Sequence, residues 1–87
     1  MNIITNKREI YKILDNDVNQ FGDKLFCIRI FKKDLLTGDI ATYAIYSDNA
    51  IAMSNILKRE KDMIDDNRIK HLIYVNYKFY CGNLDIS

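Results

Sequence analysis

The sequence has no proline and no tryptophan, only three glycines, two cysteines and a single histidine. With no proline and so little glycine, no stretch reads as a linker or low-complexity segment. No run approaches the roughly 20 apolar residues of a membrane-spanning helix. Residues 1–12 carry Lys7, Arg8 and Glu9 where a secretory signal would be apolar. Two cysteines, Cys27 and Cys81, also fall short of the disulfide framework of a small secreted scaffold. A cytoplasmic protein is expected. Neither sign of charge is in excess: thirteen basic against twelve acidic side chains leave a formal +1. Such a chain has no long-range field to gather nucleic acid or an anionic membrane, so binding of that kind would need a local patch.

What is present is a globular composition, 48% hydrophobic and 29% charged over 87 residues. That is too apolar for a disordered chain and too short for more than one domain. A single domain over 1–87 is expected, with 84–87 as a loosely held tail. The heavy use of Asn, Ile, Lys, Tyr and Asp resembles that of AT-rich genomes and their phages, which is an association of composition and not a physical argument.

Hydrophobic spacing predicts an α+β fold in the order α-β-β-α-β. Asn6, with Glu9 three residues on, has the reciprocal capping pattern of a helix start. Ile10, Ile13, Leu14, Val18 and Phe21 recur at helical spacing, opposite Lys12, Asp15 and Asn19. Gly22 suits the left-handed stop of that helix. A strand follows over 24–32, with Phe26, Ile28 and Ile30 on one face and Leu25, Cys27, Arg29 and Phe31 on the other. Both faces are apolar, as in a strand covered on two sides or one that meets a partner. Residues 34–39 read as a hairpin loop holding Gly38, and a return strand runs over 40–47. Asp48 or Asn49 caps a second helix reaching about residue 66, with the stripe Met53, Ile56, Leu57, Met63 and Ile64. The last strand spans 69–81. At thirteen residues it exceeds the usual length of roughly 5–6, so a bend near Asn76 or an overhang is expected. The expected architecture is a three-stranded mixed sheet, with the last strand parallel to the return strand and both helices packed on one face.

Catalytic chemistry has little to stand on. His71 is the only histidine, and a general base needs an orienting partner and a substrate pocket. Cys27 and Cys81 are flanked by apolar residues, where thiols behave as inert hydrophobes. A Cys81–His71 pair lies ten positions apart on one extended strand, roughly 33 Å, unless the chain bends back. One histidine and two distant cysteines do not make a zinc site. Asp62, Asp65 and Asp66 lack calcium-loop spacing. Gly22, Gly38 and Gly82 are isolated, so no phosphate loop exists. No catalytic residue, metal or cofactor is assigned, and the chain is expected not to be an enzyme.

The feature that stands out is period-two patterning in the last strand, which puts Lys70, Tyr74, Lys78 and Tyr80 on one side. With Tyr43, Arg29 or Phe31 from neighbouring strands, this would be an aromatic and cationic sheet face. Such a face suits a protein partner, since tyrosine and arginine are enriched at interface hot spots. It also suits unpaired bases stacked on rings with lysines along the phosphates. The bland alternative is that tyrosine is simply a good strand former.

The expected function is a small non-enzymatic binding protein acting by protein–protein contact. Its composition suggests a phage or mobile-element inhibitor of a host nuclease complex, of the anti-CRISPR type. The alternative is a single-stranded nucleic-acid binder using the same face, and a third reading, a ribonuclease-type toxin, rests on His71 alone. Either a monomer or a homodimer by sheet extension is consistent with the pattern.

Overall fold

The structure, a computed structural model, describes residues 2–4, 7–22, 25–65 and 67–85. Its elements are β1 (Asn2–Ile4), α1 (Lys7–Phe21), β2 (Phe26–Asp34), β3 (Ile40–Ser47), α2 (Ala50–Asp62), β4 (Ile69–Val75) and β5 (Lys78–Gly82). The α+β class holds, with two helices and an antiparallel sheet. Four strands, in the order β3-β2-β4-β5, form the body of the sheet, and the three-residue β1 adds to the outer side of β3. Every neighbouring pair is antiparallel.

Three expectations about the sheet are corrected. It is not three-stranded, because the last predicted strand is two. Val75 pairs with Lys78 across a two-residue turn, Asn76 and Tyr77, whose φ values of 51° and 68° are both positive. That is the turn whose twist matches a hairpin, and it usually takes Asn-Gly. Here Cys27 replaces the missing glycine as the stabiliser. The Asn76 N–H donates to the Cys27 carbonyl at 2.8 Å, and the Cys27 N–H donates to Asn76 Oδ1 at 3.1 Å. Nor is the sheet mixed. The crossover through α2 carries the chain past β3 and β2, so β4 runs in the direction of β3 but pairs antiparallel with β2 between them.

The third correction concerns the helices, which lie on opposite faces. Register alignment puts Ile28, Ile30, Tyr43, Ile45, Ile73 and Val75 on one side of the sheet, and these pack with Met53, Ile56 and Leu57 of α2. Phe31, Leu72 and Tyr74 face the other way and pack with Ile10, Ile13 and Leu14 of α1. The cause is visible in β2 and β4, which are apolar on both faces and so need a cover on both.

Local signals mostly acted as their chemistry dictates. Asn49 caps α2, its side chain accepting from the N–H groups of Ile51 and Ala52. Gly22, at φ 55°, donates its N–H to the Val18 carbonyl and ends α1. The Asn6 cap, Lys24, Asp66 and the last two residues lie outside the described residues. The second helix stops at Asp62, earlier than expected. Val18, expected in the α1 stripe, is 44% exposed, and the buried position belongs to Asp17. The segment after β5 is tied down at its start. Asn83 and Leu84 both donate backbone N–H to the His71 carbonyl, and Leu84 packs against the α1-side core. The Asn83 side chain accepts from His71 N–H and donates to the Ile64 carbonyl, linking strand, tail and helix end. Among the described residues no helix is long and apolar enough to cross a membrane.

Gly82 makes this clamp feasible. A Cβ there would lie 2.2 Å from the His71 carbonyl oxygen, at a φ of 148°, whereas a Cβ on Gly38 would meet nothing within 4 Å. Gly82→Ala should therefore cost about 2–4 kcal/mol, and Gly38→Ala only about 1 kcal/mol from its backbone conformation. Urea unfolding of the two variants checks the difference, and equal losses would refute the steric reading.

Candidate functional site

The six sequence-selected residues do not share one open face. Arg29 lies between α1 and the sheet. Its Nε and Nη2 donate to both oxygens of Asp17, at 2.7 and 2.6 Å, and Nη1 donates to Thr42 Oγ1 at 3.3 Å. Thr42 in turn donates to the Ile30 carbonyl. Asp17 is 1% exposed. A forked guanidinium–carboxylate pair of this kind is strong in geometry, and removal of one partner strands a buried charge. Tyr43 is on the α2 face instead. Its hydroxyl donates to Glu60 Oε1 at 2.8 Å, while Lys32 Nζ sits 3.6 Å from Glu60 Oε2 and 5.2 Å from the Tyr43 ring centre. Both groups thus hold helices to the sheet: Arg29 anchors α1 and Tyr43 anchors α2. Lys70 is half-buried at the far end of β4, opposite Lys33.

The remaining three residues do gather, at the β4–β5 edge. Tyr74 is buried beneath α1 and forms the floor of this site. Its ring meets Phe31 at 6.1 Å and Phe79 at 6.2 Å, both edge-to-face at 84°. A ladder of three rings thus runs from the core to a surface ring, Phe79, which is 62% exposed. Toward the α2 side lie Lys78, across from Val75, and Tyr80, whose ring has Lys61 Nζ at 5.3 Å from its centre. β5 carries one more residue than its partner here. Tyr74 pairs with Phe79 and Ile73 with Cys81, which leaves Tyr80 as a bulge.

Phe79 and Lys61 escaped the sequence reading. Continuous alternation through 69–81 placed Phe79 with the core residues Ile73 and Val75, and the turn at 76–77 reverses that assignment. The one signal was Asn76, a residue that tolerates a left-handed conformation. A second apolar feature, a cleft of about 130 Å³, lies between α2 and the sheet and is lined by Phe26, Ile28, Ala50, Met53, Ser54, Leu57 and Val75.

The hairpin also overturns the 33 Å separation of His71 and Cys81. Cys81 returns to face Ile73, two residues from His71 along β4. Activation of a thiol requires a depressed pKa, and here burial pushes the Cys81 thiol up, with Lys61 only partly opposing it. Cys27 is raised as well, by burial and then by Asp17. The two cysteines are free and project from opposite faces of the sheet. Among the described residues no group of three or more His, Cys, Asp and Glu is placed to hold a metal ion.

Two predictions come from these contacts. Replacing Asp17 with Asn should destabilise the fold by about 3–5 kcal/mol, and the apolar pair Asp17→Leu with Arg29→Met should recover most of that loss. A double-mutant cycle in urea checks this, and additive losses would refute the coupling. The second concerns alkaline pH. Burial raises the Tyr43 and Tyr74 hydroxyls, with Glu60 and Tyr11 adding to the two shifts. Burial alone would lower Lys32, but Tyr43 and Glu60 more than reverse it. A group raised on folding stabilises fully below its unfolded pKa and loses that contribution as pH climbs through the folded value. The urea midpoint should therefore fall between roughly pH 9 and 11, and less steeply in Tyr74→Phe. A midpoint that rises over that interval contradicts the assignment.

Comparison of the chain with protein-family models, with curated proteins and with solved structures finds no match.

Proposed function

We propose that this chain is a non-enzymatic binding protein that acts by occupying a partner protein's surface, with β5 and its rings as the contact. The observation that carries the reading is Phe79: a large ring, mostly exposed on an edge strand, braced edge-on by the buried Tyr74. A rigidly backed aromatic loses little side-chain entropy on binding and can fill a partner's pocket, which is how interface hot spots work. Tyr80 beside it is also exposed, and its ring is held by Lys61. For the partner class we propose a host defence nuclease complex, countered by a phage or mobile-element protein. Only the Asn-, Ile-, Lys-, Tyr- and Asp-rich composition supports that narrower step.

Stacking of single-stranded nucleic acid on the sheet face is disfavoured by the same geometry. Tyr74 lies under α1, and Arg29 is committed to Asp17. Phe79→Ser, with Tyr80→Ala as a second variant, should keep the wild-type thermal midpoint and weaken capture of the partner from host lysate by at least about tenfold. Capture that is unchanged in both variants, or retention only of nucleic acid that salt releases steeply, would overturn the reading.

A further inference from the structure

Resting on that reading, we infer that β5 accepts an extended segment of the partner as an added strand, and that this segment alternates acidic with apolar residues. Among the described residues β5 is the last strand of the sheet, paired with β4 on one side. A strand in that position offers backbone groups to an incoming chain, and side chains on its two faces decide which chain fits.

The two faces of β5 differ in chemistry. On the α1 side the edge is apolar and aromatic, formed by Phe79 over Tyr74, with half-exposed Tyr11 of α1 near enough to influence the Tyr74 hydroxyl. On the α2 side it is cationic, formed by Lys78 and by Lys61 over the Tyr80 ring. The β5 sequence, KFYCG, contains no acid. A strand laid along this edge turns successive side chains to opposite faces. Every second residue would therefore meet Lys61 and Lys78, and the residues between would meet Phe79. Carboxylates suit the first set and apolar side chains the second.

The same charges argue against a second copy in this place. It would bring another Lys61 and Lys78 and no acid of its own β5, so like charges would face each other across the edge, whereas an acidic strand would neutralise the lysines. They argue less well for nucleic acid, since two cations neutralise few phosphates and Tyr80 already has a lysine over its ring.

The test uses the full chain and an acetylated, amidated seven-residue peptide alternating Glu with Val and Thr. Its controls are a counterpart with Lys in place of Glu, and the Glu peptide methylated on alternate backbone nitrogens. With the Glu peptide, amide NMR signals of residues 78–82 should shift, and Lys61→Glu with Lys78→Glu should weaken binding at least tenfold without moving the thermal midpoint. The Lys counterpart and the methylated peptide should each bind at least tenfold more weakly. Unshifted signals at millimolar peptide, equal binding by any control, or stronger shifts with a short oligonucleotide would overturn the inference. Failure here stays distinct from failure of the broader reading. Partner capture lost in Phe79→Ser but kept in the charge-reversed variant refutes the acidic strand alone, and capture kept in both refutes the contact itself.

Discussion

The buried pairing of Arg29 with Asp17 governs how this fold presents itself. It joins the middle of the sheet to the third turn of α1 through two short hydrogen bonds, and Thr42 extends it to the β2 backbone. An ion pair so enclosed gives little net stability over an apolar substitute, because desolvation offsets most of the attraction. What it confers is placement. A guanidinium in the centre of an otherwise apolar strand face has to be covered by a carboxylate at one position, and Asp17 is that carboxylate. α1 can then lie over only one side of the sheet and in one register. Once it does, Tyr74 and Arg29 of the face that alternation suggests are covered, while Lys78 and Tyr80 stay exposed at an edge.

On the opposite face Glu60 plays a parallel part. Set among the apolar residues of α2, it binds the Tyr43 hydroxyl and faces Lys32. Each helix is thus positioned by one acid inside its apolar stripe, matched to a polar group at the centre of the sheet. Both acids sit at helical spacing with the hydrophobes: Asp17 three residues after Leu14, and Glu60 three after Leu57. A strand arginine between Cys27 and Phe31, together with such an acid, was the sequence's signal for a two-sided sheet. Sorting residues by polarity alone put Arg29 and Tyr43 among the exposed candidates.

Much of the fold was legible from local chemistry. The helix stripes apart from Val18 and Met63, the facing of β2, the hairpin at 34–39, the Asn49 cap and the Gly22 stop all follow from side-chain period and backbone preference. What was not legible was set by long-range pairing. The bend expected near Asn76 from strand length is there, but its closure into a hairpin lacks the glycine that marks such turns and is held by Cys27, 49 positions away, which satisfies Asn76. Tyr77 holds a left-handed conformation that costs about 1 kcal/mol or more, and its hydroxyl donates to the Gly22 carbonyl at the end of α1. No local pattern encodes either contact. The candidate site was therefore half visible: Tyr74, Lys78 and Tyr80 were singled out, while Phe79 and Lys61 were not.

The same turn explains why the functional surface sits where it does. Had the chain continued straight through residue 76, Phe79 and Tyr80 would have overhung the sheet with no support. Folding back makes Tyr74 a floor for Phe79 and brings Tyr80 to Lys61, so that strain at one turn is exchanged for two braced rings on an edge. The clamp at Gly82 and Asn83 then holds the far end of β5 against His71, fixing the strand at both ends. An edge strand held at both ends keeps its shape before any partner arrives, and the ordering cost that weakens most strand additions is thereby reduced. On the other side of the sheet β1 covers Ile40–Thr42 of β3, and among the described residues Tyr43–Ser47 have no strand beyond them, but that stretch has no lysine in it. Bracing and charge together single out β5.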